Sequence, residues 1–181
     1  RLWGIAIQID PSWLFIFGLL TWGLATGQPP RQPLLYTWGV AIITSLLLFA
    51  SVLLHELAHS YTAVRLGIPV QSVTLFLFGG VARITKEPDR PRVEFLVAMV
   101  GPLTSFLLGA GFGLLWVLGG IFRWPFVDEF GFLAFNNLLL VGFNLLPGFP
   151  LDGGRLLRAG LWFLGGNILT ATRIATLAGQ G

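Results

Sequence analysis

Three residues within one helical turn hold the strongest chemical signal in this chain. They are His55, Glu56 and His59, in the run Leu54-His55-Glu56-Leu57-Ala58-His59-Ser60. On a helix, positions i and i+4 lie on one face, one above the other. Two imidazoles so placed can bind one zinc ion, while the glutamate between them reaches a water beside it. The chain has only two histidines, and both are here. The plain alternative is a pair of core histidines with backbone partners and a glutamate that happens to fall between them. The surroundings argue against it. The run lies in a long apolar stretch, where an ionisable group costs about 2.5–3.5 kcal/mol on insertion scales.

A catalytic zinc usually takes three protein ligands and keeps one position for water. With no cysteine and no further histidine, the third ligand is sought among the carboxylates. Glu56 aside, these are Asp10, Glu87, Asp89, Glu94, Asp128, Glu129 and Asp152. Glu87 and Asp89 stand among Lys86, Arg90 and Arg92, where solvated pairing is the ordinary role. Asp10 and Glu94 stand at the entrances of apolar stretches, where capping or first-turn roles suffice. Asp128 and Glu129 fall at the opposite end of their apolar stretch. Asp152 is different. In Asn144-Leu145-Leu146-Pro147-Gly148-Phe149-Pro150-Leu151-Asp152-Gly153-Gly154-Arg155, the prolines must interrupt a helix and the glycine pair permits close backbone approach. A cap on the following helix would be its bland role; convergence with the histidines makes Asp152 the expected third ligand.

The elements that must position these residues are set by composition. The 181 residues are 55% apolar and only 10% charged, with a mean hydropathy of +0.80. Soluble domains carry about a quarter charged residues, so most of this surface is expected to face lipid. The net charge of +3 comes from basic residues scattered at the ends of apolar runs, in no stripe or cluster; this excludes a nucleic-acid partner and points to membrane topology. Four stretches, at about 11–25, 36–66, 93–119 and 130–146, are long and apolar enough to cross a bilayer. A shorter helical piece follows at about 154–164, and a truncated fifth helix begins near 168. Trp13, Tyr36, Trp38, Trp116 and Trp124 lie near the span ends, as belt residues do.

Two segments read as β: 2–9, and 70–84 as a hairpin around a glycine pair. The expected fold is therefore an all-α polytopic membrane protein with a small β-hairpin or sheet element, one membrane-embedded domain over 1–181. Gly27-Gln28-Pro29-Pro30 reads as a turn. The first apolar stretch reads as folded structure rather than a leader, and the two ends read as cut points.

Alternating spans send Arg1, Arg65, Arg83, Lys86, Arg90, Arg92, Arg155 and Arg158 to one side, and only Arg31 and Arg123 to the other. By the positive-inside rule the first side is cytoplasmic. His55 and His59 then lie about 10–17 Å before the cytoplasmic end of their helix, at 1.5 Å per residue. Asp152 enters from the same side, so the three can converge.

The paired motifs, HExxH on an early apolar helix and Asn-x-x-Pro-x-x-Pro-x-Asp-Gly-Gly-Arg far downstream, resemble the site-2 protease family of intramembrane zinc metalloproteases. Phe78-Gly79-Gly80-Val81-Ala82 resembles that family's glycine-bearing segment, and Gly101-Pro102-Leu103-Thr104-Ser105-Phe106 its third-helix motif. The resemblance implies that His55, His59 and Asp152 bind Zn2+ and that Glu56 is the catalytic glutamate. It further implies that Asn144, with Gly79 and Gly80, meets the substrate backbone or the oxyanion. Ser105 stands where many relatives carry asparagine, and it is assigned no polar role. No PDZ-like insert is visible, so the chain is similar to compact prokaryotic members, which often carry a pair of CBS modules after the membrane core. The partners implied are the lipid bilayer and transmembrane protein substrates, including regulators of the anti-sigma-factor kind. The expected location is multi-pass in a prokaryotic cell membrane, with the active site near the cytoplasmic face. The residues give no oligomeric state. The rival from another class is a metal-binding transporter or channel using the same ligands.

Overall fold

Helices begin here where a cap or a proline meets an apolar run. The computed structural model describes residues 4–27, 32–76 and 79–179. Arg1, Leu2 and Trp3, the turn residues Gln28, Pro29, Pro30 and Arg31, and Leu77 and Phe78 lie outside the described residues. Strand β1 (Ala6–Ile9) leads into helices α1 (Pro11–Thr26) and α2 (Leu34–Arg65), then strands β2 (Val70–Phe76) and β3 (Gly79–Ile84). Helices α3 (Pro91–Phe122), α4 (Val127–Asn144), α5 (Asp152–Gly165) and α6 (Ile168–Ala178) follow. Asp10 caps α1 by accepting from the Ser12 amide at 2.9 Å, with Pro11 in the first helical position. The Ser12 hydroxyl, and then its amide, hold the exposed Asp10 carboxyl below the ordinary carboxylate range. Asn167 caps α6 in the same way, accepting from the Leu169 and Thr170 amides.

The chain is mostly helical. α2 and α3 are 32 residues each, and both are long and apolar enough to cross a bilayer. Only 28% and 17% of their most apolar windows is buried. Leu46 and Leu47 of α2, and Leu107, Leu114 and Val117 of α3, are accordingly exposed. α1 is a shorter apolar helix of 16 residues, and α4 has 18, with Asp128 and Glu129 in its first turn. Two of the four expected spans thus meet the requirement on their own length and composition.

The three strands form one small sheet in the order β1-β2-β3. β2 and β3 make the expected antiparallel hairpin, from Val70↔Ile84 to Phe76↔Gly79, with a bulge between Val70 and Ser72. β1 joins parallel to β2, from Ala6↔Ser72 to Ile9↔Leu75. That pairing is long-range and has no local signal in the sequence. Ile5, Ile68, Val70 and Val73 pack with Leu57 and Ala63 of α2 and Val97 of α3, so the sheet is fastened to the helices at this one core. β1 and β3 are the two edge strands, and β3 lies beside α2.

Polar links cross between helices where apolar packing alone would not fix their register. The Thr21 hydroxyl of α1 donates to Ser45 of α2 at 3.0 Å, and the Asn137 amide of α4 donates to Ser51 of α2 at 3.3 Å. The strongest link joins α3 to α5. Glu94 does lie in the first turn of α3, but its part is larger than an entrance role. It is fully buried, and its Oε1 accepts from Arg158 Nε of α5 at 2.6 Å and from the same guanidinium's Nη2. A helix-by-helix reading cannot see a partner 64 positions away. Asp89, by contrast, makes the exposed pairing expected of it, 4.0 Å from Lys86.

Removing one member of a buried ion pair leaves the other charge uncompensated and costs about 3–5 kcal/mol. Glu94→Ala is expected to lower unfolding stability in detergent by that amount. Glu94→Ala combined with Arg158→Met is expected to recover a substantial part of it, as a thermal or denaturant melt would register.

Candidate metal centre

α2 holds His55 and His59 one turn apart on its inward face, both buried. Asp152 is the first residue of α5 and is buried as well. Its position depends on the segment before it. α4 ends at Asn144, the chain turns through Pro147 and Pro150, and α5 starts pressed against that turn. A Cβ at Gly153 would run into the Leu145 and Leu146 carbonyls, and one at Gly154 into the backbone of Gly148 and Phe149. The glycine pair is what allows this close approach. The Asp152 carboxylate turns away from a capping role. Its Oδ2 lies 3.2 Å from His55 Nε2 and 3.1 Å from His59 Nε2, and the two Nε2 atoms are 3.1 Å apart.

This triangle fits a metal ion by size and by chemistry. Donor atoms about 2.0–2.1 Å from one tetrahedral zinc are roughly 3.3 Å from each other. His59 Nδ1 lies 2.6 Å from the Val97 carbonyl oxygen of α3. A carbonyl only accepts, so Nδ1 carries the proton and Nε2 of the neutral ring presents a lone pair. His55 Nδ1 is held in turn by the Ser105 hydroxyl of α3 at 2.9 Å. Two imidazole nitrogens and a carboxylate oxygen thus face one another, an arrangement a divalent cation satisfies. The three residues form a group that could hold such an ion.

α3 supplies the back wall. A Cβ at Gly101 would fall on the His59 ring, so a side chain there would displace the imidazole. Ser105, which the sequence reading left without a polar role, is fully buried and orients His55. One signal was available: Val97, Gly101 and Ser105 recur every four residues and so share a helix face.

Glu56 opens into a cavity of about 470 Å³ that His55, His59, Asp152, Asn144, Gly79 and Gly80 also line. The structure therefore gathers every expected site residue around one space. Gly80 stands directly against Glu56, where a Cβ would strike the glutamate side chain. The Asn144 amide donates to its own helix, to Leu140 O at 3.0 Å.

The peptidase family M50 profile matches residues 43–123 and 112–179. A Synechocystis protein named as a zinc metalloprotease is 44% identical over 99% of this chain and 48% of its own length. The zinc metalloprotease-named Rip3 of Mycobacterium tuberculosis is likewise 44% identical, over 99% of this chain and 47% of its own. Among solved structures, the site-2 protease from Methanocaldococcus jannaschii superposes with a TM-score of 0.63 at 34% identity, covering 97% of this chain and 75% of that one. The chain belongs to peptidase family M50. It spans about half the length of the curated relatives it matches.

Residues that orient metal ligands typically contribute 10–100-fold in affinity. Ser105→Ala is expected to weaken zinc binding by about that factor, read by competition with a chelator, while the helical circular-dichroism spectrum stays unchanged.

Proposed function

We propose that this chain is the membrane-embedded core of a zinc metalloprotease that hydrolyses peptide bonds in or beside the transmembrane segments of other membrane proteins. The observation that carries this reading is the convergence of His55, His59 and Asp152 beside Glu56, inside an apolar helix. In this reading His55, His59 and Asp152 hold the zinc. Zinc there supplies Lewis acidity, which acidifies a water and polarises the scissile carbonyl.

Glu56 is the general base: it takes the proton of the attacking water and returns it to the leaving amine. Gly80 leaves it the room to do so. Asn144 has two amide N–H groups, of which Leu140 O occupies one; the other is the donor for the substrate carbonyl or the developing oxyanion. A helical substrate hides its carbonyls, so it must unwind before it can be cut. The unpaired edge of β3, with Gly79 and Gly80 at its start, offers backbone partners to the extended segment.

The four apolar helices α1 to α4 are read as four passes. Arg65, Arg83, Lys86, Arg90, Arg92, Arg155 and Arg158 fall on one side and Arg123 on the other, which makes the first side cytoplasmic. The metal group then lies within reach of cytoplasmic water, in a prokaryotic cell membrane. Membrane-tethered regulators of the anti-sigma-factor kind are the natural substrates of such a centre.

Glu56→Gln is expected to lower cleavage of a transmembrane substrate in detergent by at least about 10²–10⁴-fold, with zinc content still near one per chain by metal analysis. Undiminished cleavage would refute the mechanism. Asp152→Ala is expected to lose both zinc and activity; full zinc occupancy in that variant would remove Asp152 from the ligand set.

A further inference from the structure

Two arginines stand three residues apart on α5, and their circumstances are opposite. Arg158 is committed: buried, bonded to Glu94, 3.9 Å from the Glu87 carboxylate, with its guanidinium 5.2 Å from the Phe149 ring centre. Arg155 is only half-buried, and among the described residues its guanidinium makes no hydrogen bond or ion pair, although its charge acts on Glu56 across the cavity they share. A guanidinium has five N–H donors and no acceptor, so a partly desolvated one without a partner is costly to keep.

Arg155 also stands where two cavities meet. It lines the 470 Å³ cavity of the metal group and a second of about 370 Å³, which Lys86 and Phe149 also line. Ala82 and Ile84 of β3 border both spaces, so the two adjoin along the edge strand. From Gly80, against Glu56, to Ile84, the strand covers roughly 13 Å at 3.3 Å per residue. Arg155 borders the strand where Ala82 and Ile84 lie, so an extended chain laid along β3 from the site would bring a residue about two to four positions from the scissile bond to it.

We propose that Arg155 determines specificity by binding the carboxylate of an acidic substrate side chain about two to four residues from the bond that is cut. This rests on the proteolytic reading above. Arginine pairs with carboxylates through two parallel N–H···O bonds, which gives direction as well as attraction. The local charge favours an anion. Lys86 borders the same space, and its pairing with Asp89 at 4.0 Å is exposed and weak. Glu87 is also there, but its side chain is 79% exposed and lies nearest to Arg158. The space is bounded by β3 on one side and Phe149 of the proline-rich turn on the other, which suits an extended peptide better than a phospholipid headgroup.

The test is a matched set of transmembrane peptides that carry Glu, Gln or Lys at single positions roughly two to five residues to either side of the cleaved bond. The wild-type protein is expected to favour the Glu peptide at one of these positions by about tenfold in kcat/KM. Arg155→Gln brings that ratio to about one, and Arg155→Glu shifts the preference to the Lys peptide. If Arg155→Glu does not fold, Arg155→Gln carries the comparison alone. Anisotropy of the same labelled peptides on Glu56→Gln protein reads recognition without turnover. Discrimination in binding with no cleavage by the wild type would sink the protease reading and leave the acidic subsite standing. Equal handling of all three peptides by the wild type, or a Glu preference that survives Arg155→Gln, overturns the subsite. So does a dependence of activity on anionic lipid vesicles in place of peptide charge.

Discussion

Much of this molecule is arranged around three polar atoms held close together on an apolar helical frame. His55 Nε2, His59 Nε2 and Asp152 Oδ2 stand 3.1–3.2 Å apart within an apolar helical frame. A carboxylate and two imidazole nitrogens at that spacing call for positive charge between them. The protein must hold the three groups from behind, a task that falls to ordinary hydrogen bonds and glycines. Under the proposed function, a metal ion supplies the charge.

α3 does most of the holding. Its inward face presents, in order, Glu94 to α5, the Val97 carbonyl and Gly101 to His59, and Ser105 to His55. One helix thus registers both the element that carries the histidines and the element that carries the aspartate. The Glu94–Arg158 pair fixes α5 two turns below Asp152, and the glycine pair fixes its first turn against the 145–151 segment. An error in the register of α3 would reach all three donors together.

The grouping of His55, His59 and Asp152 is the most legible part of the sequence: two histidines lie four apart in an apolar stretch, and elimination among the carboxylates points to the aspartate that the structure brings beside them. Helix boundaries were legible because prolines and caps mark them. The hairpin is legible from its two apolar runs, although the glycine pair expected between the strands lies inside β3, opposite Phe76 and Leu75. What stayed hidden was whatever depends on a distant partner: the parallel pairing of β1 with β2, the burial of Glu94 against Arg158, and the use of Ser105 behind His55. Apart from the four-residue recurrence that puts Ser105 on one face with Val97 and Gly101, none of these residues has a local pattern that distinguishes its role from a blander one. Serine inside an apolar helix commonly bonds back to its own backbone, as Ser51 does to Leu47.

The free edge of β3 has a further consequence under the proposed activity. A strand edge recognises backbone shape before it recognises side chains, and it is blind to a helix whose amides and carbonyls are already satisfied. A membrane is crowded with intact helices, this protein's own among them. A blade that can engage only a chain already loosened from its helix leaves that crowd alone. The choice of target then belongs largely to the target: segments weakened by glycine, proline or a lost partner present themselves, and well-made helices pass by uncut.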